Sequence, residues 1–280
     1  MPSPLVSIFV CNYNHGRYLK QCFAGMQAQT YTNIEIVITD DGSTDGSQDI
    51  IRDYAARDSR FKQNYFQINK GVKEAFHEAA GRTRGDYLYA AASDDFIVNK
   101  DFFLKAVTAL EQDRRPAGFY GITGAFTAET EKLTGAMGTA ATEGYNTPLA
   151  CFSGFLKCRH VITSPSCLWR RDLFMKNGGE DFRSTIEKLG PRTDFFMNHA
   201  MGAQHGMIYE KTLFACQRMY QAKTNYSASL NLWNDAASYA EVEKQLRAIN
   251  PPEYPEAQKD WLLWRAFWLN EAIVNSGHLK

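Results

Sequence analysis

Apolar runs alternate with helically spaced segments over residues 1–122, and this alternation constrains the fold more than any other feature. The run from Leu5 to Cys11 is almost continuously apolar, which is typical of a parallel strand buried on both faces. Apolar side chains from Tyr18 to Met26 then recur at helical spacing. This order predicts βαβ units on a parallel sheet, and therefore an α/β fold. Further strands are predicted at 34–40, 65–68, 86–92 and 119–122, and helices at 50–55, 72–80 and 100–112, the last capped by Asn99.

The second half of the chain does not keep this alternation. Residues 127–147 are rich in Thr, Gly and Ala, which predicts a loop or an irregular hairpin. A strand is predicted at 166–170, a helix at 193–204 and an extended segment at 207–220. Two helices, at about 235–249 and 256–275, are expected to finish the chain.

Adjacent carboxylates stand at the ends of two predicted strands. Asp40-Asp41 ends the second strand and Asp94-Asp95 follows the fourth, while Asn12-Tyr13 follows the first. Ligands of open α/β sheets bind outside the carboxyl ends of the strands, so these residues are expected to converge. Such carboxylates either bind a hard divalent cation or perform acid–base chemistry. One pair alone would fit a solvated loop, but two pairs at strand ends favour a binding site.

Composition excludes several classes of protein. Lys plus Arg and Asp plus Glu balance at 31 each, so no overall positive charge favours nucleic acid, and no nucleic-acid partner is expected. The six cysteines form no CxxC pair, which argues against a thiolate zinc site. The first residues lack a basic segment typical of a signal peptide, and no long apolar stretch could span a bilayer. The expected location is the cytoplasm.

Several short motifs occur in a specific order. They are Asn12-Tyr13-Asn14, Gln29-Thr30-Tyr31, Asp40-Asp41-Gly42-Ser43, Asn69-Lys70-Gly71, Gly85-Asp86-Tyr87 and Ser93-Asp94-Asp95. In order and spacing they resemble the family 2 inverting glycosyltransferases of GT-A fold, strongly over about residues 4–122 and loosely over 160–220, and Ser93-Asp94-Asp95 stands where the family has its DXD motif. The resemblance implies a nucleotide-binding sheet with flanking helices and a helical C-terminal extension.

Roles for individual residues follow from this resemblance. Tyr13 would stack on the nucleotide base, Asp41 would accept a hydrogen bond from it, and Cys11 would join the nucleotide-binding residues. Asp94 would lie near the ribose and diphosphate. Asp95 would hold the divalent cation, Mn²⁺ or Mg²⁺.

The resemblance also implies a general base at the start of a helix in the second half. Asp194, in the stretch Gly190 to Phe196, fits this position. An N-cap role for Thr193 or Asp194 is the alternative. Asp181 and Glu187 are reserves for the base.

Two departures from the family pattern affect the predicted site. Phe76-His77 replaces an Arg-Asn pair, so a positively charged side chain near the diphosphate is either missing or supplied by Lys73 or Lys70. The histidine that helps many members to hold the metal has no counterpart between residues 216 and 220. Arg218 is a candidate for phosphate contact, with a surface arginine as the alternative.

The resemblance implies a metal-dependent, inverting glycosyltransferase that moves a sugar, most simply from a UDP-sugar, to a glycan or lipid-linked glycan in surface polysaccharide or glycoconjugate assembly. Residues 1–122 would bind the nucleotide-sugar, 123–234 would bind the acceptor and carry the base, and 235–280 would form the helical extension. A non-catalytic nucleotide-sugar-binding module and a nucleotidyltransferase are the rivals. A nucleotidyltransferase usually has a Gly-rich basic loop after the first strand, which this chain lacks.

The segment from Trp261 to Leu269 is apolar on nearly every side. A helix of this kind is buried or lies at an interface. Packing against the rest of the chain or a second subunit is one interpretation. Peripheral contact with the inner face of a membrane is the other, which its single cationic residue weakens.

Overall fold

The structure is a computed structural model that describes residues 3–140, 142–157, 159–178 and 193–220, together with residues 243, 244, 247, 248, 254, 260, 261 and 264. Within this part of the chain, ten strands form one sheet. The strands are β1 (Val6–Asn12), β2 (Ile34–Asp40), β3 (Phe61–Tyr65), β4 (Tyr87–Ala92), β5 (Phe96–Ile97), β6 (Gly118–Thr127), β7 (Lys132–Met137), β8 (Gly144–Asn146), β9 (Cys167–Arg170) and β10 (Met207–Met219).

Helices connect most of these strands. They are α1 (Gly16–Gln27), α2 (Ser47–Arg57), α3 (Val72–Gly81), α4 (Phe102–Gln112), α5 (Pro148–Leu156), α6 (Arg171–Gly178) and α7 (Thr193–His205), and a short 3-10 helix spans Ser164–Ser166.

The sheet runs in the order β3-β2-β1-β4-β9-β6-β10-β5, with β7 paired to β6 and β8 to β10. Parallel pairs join β1 to β2 and β4, β2 to β3, and β6 to β10. Strand β9 is antiparallel to both of its neighbours. Its N-terminus therefore points toward the carboxyl ends of β4 and β6, and we call the edge of the sheet where the parallel strands end the site edge. The predicted α/β fold is confirmed.

Burial on both faces of the sheet explains the apolar runs. Along β1, Ile8 and Val10 belong to one buried cluster, whereas Phe9, which points the opposite way, belongs to the other. All three side chains are at most 1% exposed. Successive side chains of a strand alternate between faces, so a strand covered on both sides must be apolar throughout.

Several sequence predictions were wrong in detail. The third strand ends at Tyr65 rather than beginning there, because its register pairs Phe61 with Ile36 of β2. Helix α4 begins at Phe102 rather than Lys100, and Asn99 lies outside it, accepting a hydrogen bond from the Asp101 backbone N–H at 2.9 Å. For residues 127–147 the irregular-hairpin alternative is correct in part, because β7 pairs antiparallel with β6 and the register shifts between Ala125 and Phe126.

Two tryptophans of the C-terminal tail are buried within the molecule. Trp261 and Trp264 are each 2% exposed, and their rings contact Phe152 and Phe155 of α5. These contacts support the packing interpretation for these two side chains. The two predicted C-terminal helices otherwise lie outside the described residues. No helix in the described part of the chain is both long and apolar enough to cross a membrane.

Candidate functional site

The side chain of Asp40 links the end of β2 to the end of β1 by hydrogen bonds. It is fully buried, and its carboxylate accepts hydrogen bonds from Asn12 Nδ2 at 2.7 Å, the Ser43 backbone N–H at 2.9 Å and Gln48 Nε2 at 3.0 Å. A buried carboxylate is tolerated only when it is hydrogen-bonded in this way. Asp40 is therefore a structural residue of the site edge.

Asp41 orders the loop that leads into α3. Its carboxylate accepts from the backbone N–H groups of Lys70 at 2.6 Å and Gly71 at 2.9 Å. Its own backbone N–H donates to the Asn12 carbonyl at 2.8 Å, and the residue is 3% exposed. Gly71 has a φ of 91°, which favours glycine at this turn. The contact of Asp41 with a base stays a prediction.

The other predicted nucleotide-binding residues lie around Asp41. Tyr13 follows β1 and leaves 45% of its surface exposed, as a stacking platform requires. Cys11 is partly buried on β1, where burial and then the charge of Asp41 raise the pKa of its thiol to about 12. A thiol with this pKa stays protonated and is a poor nucleophile, and the contact of Cys11 with a nucleotide stays a prediction. Lys73 is half-buried in the first turn of α3.

The end of β10 holds both carboxylates of the Asp94-Asp95 pair. The Tyr220 hydroxyl donates to Asp94 Oδ2 at 2.8 Å, and the Arg218 backbone N–H donates to Asp95 Oδ1 at 2.8 Å. His15 Nδ1 lies 3.9 Å from Asp94 Oδ1. The hydrogen bonds from β10 thus use one oxygen of each carboxylate and fix both side chains on the site edge.

Arg218 is buried, so its interpretation as a surface arginine is wrong. Its side chain is 4% exposed, and its guanidinium donates to the Asp94 carbonyl at 2.9 Å and to Gln21 Oε1 at 2.5 Å. The guanidinium also lies 4.3 Å from the centre of the Tyr18 ring. The side chain therefore joins α1 to the Asp94 loop, and its contact with phosphate stays a prediction.

Asp95 is the most strongly perturbed carboxyl group of the site. Burial raises the pKa of Asp95 well above its usual range, and the charge of Asp94 raises it further. Arg218 opposes this shift, whereas the charge of Asp194 adds to it. A cation bound nearby would stabilise the ionised form of Asp95 and would therefore lower its pKa again.

These two carboxylates suit a hard divalent cation only with help from a ligand. Among the described residues, no group of three or more His, Cys, Asp or Glu side chains could hold a metal by itself. Mg²⁺-like cations need only one or two carboxylates when phosphate oxygens complete the coordination. The oxygens outside the bonds from β10, Asp94 Oδ1 and Asp95 Oδ2, are the ones that could face such a cation.

Asp194 is the second residue of α7, so it does not occupy the N-cap position. It is exposed, and Ser164 Oγ donates to its Oδ2 at 3.2 Å. Its charge is the smallest of the causes that raise the pKa of Asp95, after burial and the charge of Asp94. The reserve candidates Asp181 and Glu187 lie outside the described residues.

The sequence alone did not reveal the residues that hold these carboxylates. Tyr220 and Ser164 contact Asp94 and Asp194 across separations of 126 and 30 residues. The order of strands in the sheet creates both contacts. The sequence did contain one signal that Asn198 belongs near Asp194. It follows Asp194 by four residues, and residues at this spacing share one face of a helix.

The fold and the carboxylate-lined edge define an α/β protein of the GT-A type. More specifically, the chain belongs to glycosyltransferase family 2, because the family model described as Glycosyl transferase family 2 matches residues 7–173. That segment is more than half of the chain, and it includes all the site residues predicted between Cys11 and Asp95.

Curated relatives share mainly the first half. The chain is 39% identical to EpsH of Bacillus subtilis over 97 residues, which are 35% of this chain and 28% of EpsH. It is 36% identical to glycosyltransferase GlyG of Streptococcus pneumoniae over 95 residues, 34% of this chain and 32% of that protein. Glycosyltransferase GlyA of the same organism aligns at 24% identity over 254 residues, 87% of this chain. The chain therefore spans only about a third of these relatives' lengths.

Solved structures show the same fold across almost the whole chain. S. aureus TarS 1–349 in complex with UDP-GlcNAc has a TM-score of 0.66 and 16% identity, covering 96% of this chain and 72% of that one. Mannosyltransferase PcManGT from Pyrobaculum calidifontis, in complex with GDP-Man and Mn²⁺, has a TM-score of 0.57 and 16% identity, covering 97% and 74%.

Proposed function

We propose that the chain moves a sugar from a nucleoside-diphosphate donor to an acceptor hydroxyl, with inversion at the anomeric carbon. The observation that supports this proposal is that Asp94 and Asp95 are held beside the end of β10, while Asp194 contacts Ser164 of the segment that leads into β9. The reaction needs a carboxylate that holds a cation at the diphosphate and a carboxylate that acts as base toward the attacking hydroxyl. These two must lie on opposite sides of the anomeric carbon of the sugar.

The reaction would be a single displacement. Asp194 takes the proton of the acceptor hydroxyl while that oxygen forms a bond to the anomeric carbon. The bond from this carbon to the diphosphate oxygen breaks, and its electron pair leaves with the nucleoside diphosphate. Attack opposite the leaving group converts an α-linked donor into a β-linked product.

Asp95, assisted by Asp94, would hold a divalent cation, Mn²⁺ or Mg²⁺, together with the donor diphosphate. When bound, the cation supplies positive charge that stabilises the departing diphosphate. Carboxylate oxygens are suitable ligands for such a cation. The pKa of Asp95 is raised by burial and by Asp94, so a bound cation would stabilise its ionised form. The Mn²⁺ bound to PcManGT supports the same assignment.

The donor would bind across the ends of β1, β2 and β4. Tyr13 would stack on the base, Asp41 would accept from it beside Cys11, and Asp94 and Lys73 would lie near the ribose and diphosphate. A UDP-sugar is favoured because TarS binds UDP and UDP-GlcNAc.

The acceptor is proposed to be a glycan or lipid-linked glycan in surface polysaccharide or glycoconjugate assembly. The resemblance to chondroitin synthase of Escherichia coli, 38% over 94 residues, supports a saccharide acceptor. Such chemistry would take place in the cytoplasm, with the C-terminal segment as the part that could contact the inner face of the membrane or a second subunit.

Thermal shift with UDP, GDP, dTDP and CMP, each with and without Mn²⁺, tests the proposal. A ligand at 100 times its Kd stabilises the folded state by about 2.7 kcal/mol, which raises the Tm by several degrees. We expect one nucleotide to give a Mn²⁺-dependent shift that the Asp95→Asn variant loses. No shift with any nucleotide would remove the basis for the assignment.

A non-catalytic nucleotide-sugar-binding module is the second candidate, because Phe76-His77 replaces the family's Arg-Asn pair. Slow hydrolysis of the donor without acceptor separates the two, since a binding module would give the thermal shift and release no nucleoside diphosphate.

A further inference from the structure

The hydroxyl of Ser164 touches the proposed base directly. Ser164 Oγ lies 3.2 Å from Asp194 Oδ2 and 3.0 Å from Asn198 Nδ2. It therefore stands between two side chains of the same helix, α7. A serine hydroxyl carries one proton and two acceptor lone pairs, so it can donate to only one of these neighbours.

Asn198 fixes the direction in which that proton points. Its amide group also contacts the Ile162 carbonyl oxygen, at 3.3 Å from Nδ2. A carbonyl oxygen can only accept, so the amide must present its NH₂ group to Ile162 and, with it, to Ser164. Asn198 is 3% exposed, which prevents water from replacing either bond. Ser164 accepts from Asn198, and its own proton is directed at Asp194.

The segment that carries Ser164 is anchored to the centre of the sheet. The Tyr89 hydroxyl of β4 donates to the Pro165 carbonyl at 2.8 Å, and Ser166 Oγ donates to the Ile122 carbonyl of β6 at 2.8 Å. These bonds place Ser164 immediately before the reversed strand β9, at the site edge. A hydroxyl on a rigid element positions a partner more precisely than one on a loose loop.

A second contact holds α7 against this segment. The Ile162 backbone N–H donates to His199 Nε2 at 3.4 Å. His199 and Asn198 are adjacent on α7 and are both buried at 3% exposure. The segment before β9 therefore holds both the middle of α7 and the hydroxyl that meets Asp194.

We propose that Ser164 and Asn198 are positioning residues that hold the Asp194 carboxylate in the orientation in which it accepts the proton of the attacking hydroxyl. This inference rests on the proposed function, since it assumes that Asp194 is the base. A hydrogen bond donated to a carboxylate favours the ionised form, which is the form that accepts a proton. Neither positioning residue belongs to the donor-binding ends of β1, β2 and β4.

The test measures donor hydrolysis by full-length variants, with nucleoside-diphosphate release from a panel of UDP- and GDP-sugars as the readout. Water takes the place of the acceptor, so Asp194 is still needed. For Ser164→Ala we expect kcat to fall about fivefold to tenfold, as for a lost bond to a charged group that is partly solvated. The KM for the donor should stay within about twofold of wild type, because the donor-binding residues are unchanged.

Two further variants sharpen this test. Ser164→Thr keeps the hydroxyl and should restore most of the lost kcat. Asn198→Ala should lower kcat about twofold to threefold, because the hydroxyl is then free to turn away from Asp194.

Ser7→Ala is the matched control, since the Ser7 hydroxyl also donates to a carboxylate, Glu35 Oε1 at 2.6 Å, but lies near the start of β1, away from the site edge. It should lower the Tm and leave kcat unchanged. A wild-type kcat for Ser164→Ala, or equal losses in Ser164→Ala and Ser7→Ala, would overturn the inference. Full turnover by Asp194→Asn would instead show that the base assignment in the proposed function is wrong.

Discussion

The two sides of the site edge are built differently. On the donor side, at the ends of β1, β2 and β4, the carboxylates of Asp41 and Asp95 are at most 7% exposed and bonded to backbone N–H groups. On the base side, Asp194 is exposed and Ser164 donates to it from another element. The proposed donor side is thus preorganised by the backbone itself, whereas the proposed base is exposed to solvent.

The largest effect should come from the base side. Asp194→Asn removes the proton acceptor, so kcat for transfer or donor hydrolysis should fall by about 10²- to 10⁴-fold. The nucleotide-induced thermal shift should persist because the donor side is untouched. Asp172→Asn is the matched control, since Asp172 is the exposed second residue of α6 and should have no effect. Loss of nucleotide binding in Asp194→Asn would contradict the separation of the two sides.

A substitution at Asp41 should damage stability as well as binding. Asp41→Asn places an NH₂ group against one of the backbone N–H groups of Lys70 and Gly71, which costs about 1 to 3 kcal/mol. We expect the Tm to fall by several degrees and the nucleotide affinity to fall about tenfold. Asp49→Asn is the control, because its bond to Arg52 is on the surface and worth little. An unchanged Tm would mean that Asp41 does not order this loop.

A smaller effect on donor binding is expected from Tyr220, which follows β10 and donates to Asp94. Tyr220→Phe removes the hydroxyl that donates to Asp94, so the KM for the donor should rise about threefold to fivefold with little change in kcat. Tyr145→Phe provides the comparison, since its hydroxyl meets only the His205 carbonyl at 3.4 Å. A drop in kcat at constant KM would place Tyr220 on the base side instead.

The smallest effect concerns the stability of the second half in acid. Burial lowers the pKa of His160 to about 4, below its usual value near 6.5. Between these values the unfolded chain binds more protons than the folded one, so stability is complete above about pH 6.5 and is lost as the pH falls toward 4. Asp58 and Asp113, whose pKa values are lowered by Arg60 and Arg115, lose their contribution only below about pH 4.

This window separates His160 from carboxylates whose pKa is lowered, such as Asp58 and Asp113. Asp95, whose pKa is raised, gains stability as the pH falls and so acts in the opposite direction. His160→Gln should flatten the fall in Tm between about pH 6.5 and 4, although His205, whose pKa burial also lowers, retains part of it. The same slope in wild type and variant would assign the acid sensitivity to other groups.

Different parts of the molecule were predictable for different reasons. Strands β1, β2 and β4 follow from apolar runs, because a strand covered on both faces is built mostly of apolar side chains. Helix α5 was missed although Thr147 caps it and Pro148 begins it, since its mostly apolar sequence has little helical periodicity. The strand-end carboxylates were predicted from their position in the βαβ pattern. The residues that orient them were not, because pairing within the sheet joins them across long stretches of chain.

The link between Arg218 and Asp95 has a consequence for synthesis of the chain. The two residues are 123 positions apart in the chain. At about 5 to 20 residues per second, the ribosome therefore adds Arg218 roughly 6 to 25 s after Asp95. During that interval the nascent first half can pair β1 with β2 and β4, but Asp94 and Asp95 still lack β10. Nucleotide binding should therefore be acquired only after β10 has emerged and docked.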